Sequence, residues 1–339
     1  VKVLLSGYFG FGNTGDEMIH SVLMRELLNK GFEVASLVKQ SHNSTEFDRS
    51  NYKSVINAIS STDVLISGGG GLLQDATSSK SLYYYLSVIY YAKKVHKKTV
   101  VLAQGIGPIK GRLNLHITKS VLKQADLITV RDLCSYRMIS RDVDPSKIYV
   151  TADLGFMFDS EQEIALPYKD YVVFTPAASK HMPSLNDLVR TAYTINRKTN
   201  KQVVLLPLFP EFDGELVNSI SSMTKMPVFS PSNLLQTAFF IKNAYLVVGT
   251  RYHSIVLSSL KRVPFVALSY DMKVSNLANE FAEKAFPYEN LASAEFEQSL
   301  DELLFNYNKK KAAIDSKIKE LQHRAEENFE ILYRLLSTK

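Results

Sequence analysis

Four cationic side chains stand where a parallel α/β chain would hold an anion. In "GTRYHSIVLSSLKRVPFVALSYDMKV" (249–274), Arg251 and His253 follow one apolar run and Lys273 follows the next. Arg131 stands in the same relation to "LITV" at 127–130. If 245–249 and 263–269 are neighbouring parallel strands, about 4.8 Å apart, Arg251, His253 and Lys273 leave the same edge of one sheet. Each then lies in the first turn of a helix, where unbonded N–H groups and the helix dipole already favour negative charge. Cations there are locally unfavourable, so an anionic ligand is the natural explanation. Arginine's planar fork fits carboxylate or phosphate, lysine supplies a point charge, and histidine titrates near neutral pH. Arg131 is expected to face the same cleft from the other half of the chain; its alternative is an ion pair with a carboxylate such as Asp132.

Three unusual loops also follow apolar runs: "GYFGFGNTGDE" (7–17), "GGGGLLQD" (68–75) and "QGIGPI" (104–109). Gly69 and Gly70 lie in a run of four glycines that either brings backbone close to a ligand or simply makes a tight strand-to-helix turn. Gly10, Gly12 and Gly15 spell G-x-G-x-x-G, the pattern of a dinucleotide site. Two features oppose that reading. The second apolar run ends in Leu37, Val38 and Lys39 with no acid to hold a ribose diol, and Asp16 and Glu17 crowd the place of a pyrophosphate. Asp16 is instead expected to cap the helix, with Asn13 and Thr14 shaping the turn. Tyr8, Phe9 and Phe11 offer either aromatic faces for sugar rings or side chains for the core.

The elements that must carry these groups are short apolar runs alternating with helical stretches. Runs at 1–7, 33–38, 63–68, 99–105, 127–130, 168–176, 202–208, 245–249 and 263–269 read as strands, with helices over 17–30 and 81–94 between them. Strands separated by helices imply βαβ units and parallel sheets. At 339 residues, with 45% hydrophobic and 22% charged residues, two soluble domains are expected. The chain is read as α/β, with two facing Rossmann-like domains at 1–160 and 161–300 and a helical tail at 301–339. The irregular stretch from Asp153 to Pro167 holds the boundary. The tail is expected to pack across the domains with a solvated face; its Lys309, Lys310 and Lys311 are the candidate contact with anionic lipid headgroups.

Several classes are disfavoured. The single cysteine, Cys134, excludes an intrachain disulfide and is expected to be a small buried hydrophobe. The strand-like start lacks a signal peptide's pattern, and the longest apolar stretch, 82–92, is too short to span a bilayer; the cytoplasm is expected. No metal is indicated, since no H-x-x-x-H, C-x-x-C or carboxylate cluster occurs, and the P-loop pattern is missing. The net charge of +6 suits anionic partners, but no dedicated nucleic-acid motif accompanies it.

Taken together, "SGYFGFGNTGDE", "DVLISGGGGLLQD", "QGIGP", "ITVRD", "TADLGF" and the 249–274 block resemble the polysaccharide pyruvyl transferases, in particular the branch acting on cell-wall polysaccharide of Gram-positive bacteria. The likeness covers positions 1 to about 280 with the six blocks in order. It departs at Tyr252, where leucine is common, and Met272, where proline often precedes the lysine. The resemblance implies a fold similar to the GT-B glycosyltransferases. It implies phosphoenolpyruvate as co-substrate with no cofactor, and a glycan or lipid-linked saccharide acceptor, often ManNAc, which gains a pyruvate ketal at the inner face of the membrane. It matches Arg131, Arg251, His253 and Lys273, with Gly69 and Gly70, to donor binding and catalysis. It matches Tyr8, Phe9, Phe11, Asn13, Asp16 and Asp75 to the acceptor cleft. His253 is the expected general acid or phosphate stabiliser; the base is open among Asp16, Asp75, Asp153 and Asp271. The competing readings are a GT-B sugar-nucleotide glycosyltransferase, a non-catalytic module for anionic glycans, and an NAD-dependent dehydrogenase.

Overall fold

The computed structural model describes residues 1–76, 78–291 and 293–337. It divides into two compact units, Val1–Phe158 with Leu321–Lys339, and Asp159–Glu320.

The first unit runs β1 (Lys2–Phe9), α1 (Thr14–Asn29), β2 (Glu33–Val38), β3 (Glu46–Asp48), α2 (Tyr52–Ser60), β4 (Val64–Gly68), α3 (Ser79–Lys94), β5 (Lys98–Gln104), α4 (Arg112–Leu122), β6 (Leu127–Val130), α5 (Leu133–Ile139) and β7 (Ile148–Val150). Its seven strands form one sheet in the order β3-β2-β1-β4-β5-β6-β7, every pair parallel. The order reverses between β1 and β4, so the loops after these strands open at the point where doubly wound sheets receive ligands. The central strands are buried along their whole length, as Val64–Gly68 illustrates. This is why they read as continuous apolar runs and not as alternating ones.

The second unit contains β8 (Tyr171–Thr175), α6 (Leu185–Thr199), β9 (Gln202–Leu205), α7 (Pro210–Thr224), α8 (Leu234–Lys242), β10 (Leu246–Gly249), α9 (Tyr252–Leu260), β11 (Phe265–Ser269), α10 (Met272–Glu280), β12 (Phe286–Pro287), α11 (Ala294–Phe305) and the start of α12 (Tyr307–Ser337). Its five parallel strands are ordered β12-β11-β10-β8-β9. β10 and β11 are hydrogen-bonded neighbours, with Gly249 opposite Ala267. The condition placed on Arg251, His253 and Lys273 is therefore met: they leave one edge of one sheet.

The later part of α12 belongs to the first unit. There Asn328, fully buried, donates to the carbonyl of Ala152 and accepts from the hydroxyls of Thr129 and Thr151, stitching the helix to β6 and the segment after β7. In the earlier part Lys310 pairs with Glu283, Arg262 with Asp315, and Lys317 with Glu280 and Glu320. The helix thus presents mixed, mutually compensated charge. Cys134 departs from expectation: α5 turns Ser135 and Ile139 inward and leaves the thiol exposed.

Candidate active site

In the first unit, the loop after β1 is shaped by Gly10 and Gly12 at φ 77° and 72°, a backbone region that favours glycine. The N-cap of α1 is Asn13, which accepts from the Gly15 N–H at 3.0 Å, so the capping role expected of Asp16 falls to Asn13. Glu17 folds back and accepts from the N–H groups of Gly10 (2.9 Å) and Gly12 (3.2 Å). A carboxylate of the protein thereby fills the amide nest that a dinucleotide pyrophosphate would need. Burial pushes the Glu17 carboxyl up, against the pull of these N–H groups.

The aromatics of this loop divide. Phe9 is 1% exposed and stacks on His20 at 4.3 Å, so it presents no face to a sugar. The pairing of β1 with β2 slips by two residues between Ser6 and Phe9, and the Phe9 ring lies over Gly7, where any Cβ would collide with it. Tyr8 and Phe11 stack on each other at 4.0 Å. Beside them lies Arg49, unremarked in the sequence, with its guanidinium 4.4 to 5.6 Å from the rings of Tyr84, Tyr85, Phe11 and Tyr8. Its Nη1 donates to the carbonyl of Gly7 (2.9 Å) and the hydroxyl of Tyr85 (3.0 Å). Lys39 lies 5.1 Å from the Phe11 ring.

The glycine run after β4 has a packing explanation. Gly69 and Gly70 take φ of 63° and 73°. A Cβ on Gly68 would meet Leu23 at 2.6 Å, one on Gly69 would meet Ile19 at 2.5 Å, and one on Gly70 would lie 3.1 Å from the Asp16 carboxylate. The Gly70 carbonyl accepts from the Gly105 N–H and from Gln104 Nε2. Asp75 closes the start of α4, accepting from the N–H groups of Lys110 and Gly111 and from Asn114 Nδ2. Burial opposes its charge, but these donors hold its carboxyl below the usual range.

Arg131, expected to present its charge to a ligand, is instead interior. Its side chain is 3% exposed and donates to Asp153, itself 0% exposed, at 2.8 Å. Asp132 lies 3.7 Å away and caps α5 through the Ser135 N–H. The guanidinium packs against Gly105, where a Cβ would approach it to 2.6 Å. The lone arginine's alternative is realised, with Asp153 as the principal partner.

The second unit is built differently. Arg251 is the N-cap of α9, and this helix has no side-chain cap. Its Nε donates to Asp213 Oδ2 at 2.7 Å and its Nη2 pairs with Oδ1. Asp213 lies in the first turn of α7, fully buried, and also accepts from the Ala178 N–H of the loop after β8. Burial works against the Arg251 charge, and Asp213 more than restores it. His253 lies one residue into α9, its ring edge-on to Tyr252. Lys273, in the first turn of α10, sits 3.3 Å from Asp271, the N-cap of that helix. Beside it a cavity of about 270 Å³ is lined by His181, Ser269, Tyr270, Asp271, Met272 and Glu289, among others. Burial pushes the Tyr270 phenol up, so it remains a neutral donor there. Among the described residues no cluster of three or more His, Cys, Asp or Glu could hold a metal.

The sequence profile of the polysaccharide pyruvyl transferases matches residues 13–272, which span α1 to the start of α10 and include Arg131, Arg251 and His253, ending one residue before Lys273. The chain belongs to this family. No curated protein matches it in sequence. For this pyruvyl transferase, solved structures supply the fold. A putative UDP-N-acetylglucosamine 2-epimerase from Listeria monocytogenes superposes with a TM-score of 0.68 at 11% identity, over 96% of this chain and 94% of that one. A UDP-GlcNAc 2-epimerase from Neisseria meningitidis gives 0.68 at 10%, over 98% and 100%. A glycosyltransferase from Rickettsia africae gives 0.63 at 12%, over 100% and 99%. Two parallel α/β units and a C-terminal helix make the pyruvyl transferase GT-B-like.

Sequence reasoning missed Asp213 and Arg49 as members of these sites, whereas Glu17 crowds the pyrophosphate place as expected. Asp213 sits 38 positions from Arg251, with no local signal of the pairing; only its place early in an acidic first turn, "PEFD", could have raised it.

Proposed function

We propose that the protein transfers the three-carbon unit of phosphoenolpyruvate to a saccharide as a cyclic ketal, releasing phosphate. The acceptor is a ManNAc unit of a lipid-linked cell-wall polysaccharide precursor, at the cytoplasmic face of the membrane. The observation that carries the donor reading is the open N-terminus of α9, with Arg251 at its N-cap and His253 in its first turn. Asp213 holds the Nε and Nη2 edge of Arg251. This fixes the guanidinium and turns its Nη1 edge to a carboxylate or phosphate. The N–H groups of α9 serve the second anionic group, and Lys273, on the helix after the neighbouring strand, adds a further positive charge.

The chemistry follows from the donor. A proton is delivered to the methylene carbon of phosphoenolpyruvate, leaving positive charge on its C2. One sugar hydroxyl adds to C2 and gives up its proton, the C2–O bond to phosphate breaks, and a second hydroxyl closes the ring. Of the two hydroxyl protons, one balances that consumed by the methyl group and one leaves with phosphate. His253 is the proposed proton donor or the donor to departing phosphate. Of the four carboxylates open for the base, Asp75 closes α4, Asp153 holds Arg131, and Asp271 caps α10. Asp16, against the Gly70 turn, is the proposed base for the acceptor.

Incubation with phosphoenolpyruvate and a synthetic lipid-linked ManNAc-GlcNAc acceptor should release phosphate and add a pyruvate ketal detectable by mass. Binding of UDP without binding of phosphoenolpyruvate would select a sugar-nucleotide glycosyltransferase instead.

A further inference from the structure

Charge is distributed unevenly along this chain. Residues 79–125 contain nine Lys or Arg and no Asp or Glu, whereas the whole chain has forty and thirty-four. This stretch therefore carries an excess of nine, and everything else a net deficit of three. It comprises α3, β5 and α4, all in the first unit.

The excess is organised on a surface. In α3 the exposed residues Lys80, Tyr83, Ser87, Tyr90 and Lys94 recur at alternating spacings of three and four, which places them on one stripe of the helix. A lysine ends the stripe at each side, about 21 Å apart along the helix axis. α4 lies alongside, tied by the Tyr83 hydroxyl donating to Asn114 at 2.6 Å. It exposes Arg112, Leu113, His116 and Lys123. Between the helices lies a groove of about 360 Å³, lined by Tyr83, Leu86, Tyr90, His116, Ile117 and Val121 among others. Tyr83, Tyr90 and Leu113 are 39%, 48% and 66% exposed.

The acids that reach this face come from outside the stretch. Asp142 takes Lys119 at 2.6 Å and Lys123 at 3.9 Å, and Asp126 takes Lys93. Lys80, Lys94, Lys110 and Arg112 make no ion pair among the described residues. The triple lysine of α12 contrasts with this, because Lys310 is neutralised by Glu283 and the helix around it carries acids of its own.

We propose that the α3–α4 face docks the protein peripherally on a bilayer rich in anionic phospholipid. Tyrosines with an apolar body and a polar tip suit the headgroup level. The groove admits the apolar edge of that layer, while the unpaired lysines and Arg112 meet lipid phosphates and are complementary to them in sign. No described helix is long and apolar enough to cross a membrane, so the attachment is to the surface. The inference rests on the proposed lipid-linked acceptor only for its purpose.

Sedimentation with vesicles of phosphatidylglycerol mixed with phosphatidylcholine tests it, with phosphatidylcholine alone as the reference. The expected result is binding to the anionic vesicles only, weakened by added salt, and lowered at least tenfold in the Lys80→Glu/Lys94→Glu/Arg112→Glu variant. Tyr90→Asp should lower it several-fold. Circular dichroism and turnover of a water-soluble acceptor should be unchanged in both variants. Equal binding of wild type and triple variant, or no binding of wild type to anionic vesicles, overturns the proposal. So does tighter binding of the wild type to a short RNA or DNA oligonucleotide than to the vesicles. If soluble-acceptor turnover is absent while vesicle binding is present, the functional reading fails and the docking surface stands.

Discussion

The two units satisfy the donors at their strand ends to different degrees. In the first, the protein's own carboxylates occupy the donors: Glu17 fills the Gly10–Gly12 nest, Asp132 caps α5, Asp75 closes α4, and Asp153 engages Arg131. In the second, α9 begins with no capping side chain and with an arginine and a histidine at its start. Sites already satisfied by internal acids have little left for an anion, and offer stacked aromatic rings and polar edges to a neutral ring. Under the proposed function, this contrast is the reason for placing the anionic donor on the second unit and the sugar on the first. The two arginines make the point most sharply. Arg131 and Arg251 both follow a parallel strand and both pair with a fully buried aspartate. Their side chains, however, are 3% and 21% exposed.

The comparison breaks first at Arg131. Removing it strands Asp153 in the interior, so Arg131→Ala should cost about 3 to 5 kcal/mol of stability, read as a large fall in the unfolding midpoint of the first unit. Replacing the pair together, Arg131→Met with Asp153→Leu, should recover most of that loss. If the recovered protein turns over normally, Arg131 serves the packing of the Gly105 turn and not the reaction. If it is folded and inactive, Arg131 touches the donor after all and the assignment above is wrong.

A second test concerns the acid side of pH. His20 stacks beneath the Phe9 loop and shares a hydrogen bond with Ser36. Burial pulls its pKa from 6.5 to about 4. Below pH 6.5 the unfolded chain binds this proton and the folded one does not, so stability falls as pH drops from 6.5 towards 4. The loss at the bottom of that window is about 3 kcal/mol. Denaturant midpoints for wild type and His20→Asn between pH 7.5 and about 4.5 should converge on acidification. Parallel curves would place the acid sensitivity elsewhere.

Much of this architecture was legible because buried parallel strands are apolar throughout. Glu33–Val38 and Leu127–Val130 stand out as runs bounded by polar residues, and the first turns after β10 and β11 were located by those runs. The edge strands Glu46–Asp48 and Ile148–Val150 were not legible, because a three-residue, half-exposed strand leaves no pattern. Phe9 was misassigned because the slip in the pairing of β1 with β2 cannot be read from alternation in a strand buried on both faces. The acids that neutralise Arg131 and Arg251 lie 22 and 38 positions away. Pairing at that range is set by topology, which composition does not encode.

The donor half of the comparison is sharpened by Arg251 and its partner. Arg251→Lys keeps the charge and loses the fork that holds Asp213 in two places. Arg251→Ala removes a charge-assisted contact worth about 1.5 to 3 kcal/mol, so turnover should fall at least about tenfold, and it also strands the buried Asp213, so the unfolding midpoint should fall as well. His253→Ala and Lys273→Ala should likewise fall at least about tenfold. Affinity for phosphoenolpyruvate, measured by calorimetry, should weaken in these variants while acceptor KM stays put. Wild-type turnover in two of the three would show that the anion binds elsewhere.

The smallest effect probes the acceptor half. Tyr8 and Phe11 form a stacked pair, and Arg49 fixes their neighbourhood from the side through Gly7 and Tyr85. An arginine over aromatic rings at a partly exposed place contributes about 0.5 to 1 kcal/mol. Arg49→Gln should therefore raise acceptor KM by a few-fold with little change in kcat or in donor affinity, and Phe11→Leu should do the same. Should either variant instead weaken phosphoenolpyruvate and leave acceptor KM unchanged, the sugar and the anion have been assigned to the wrong units.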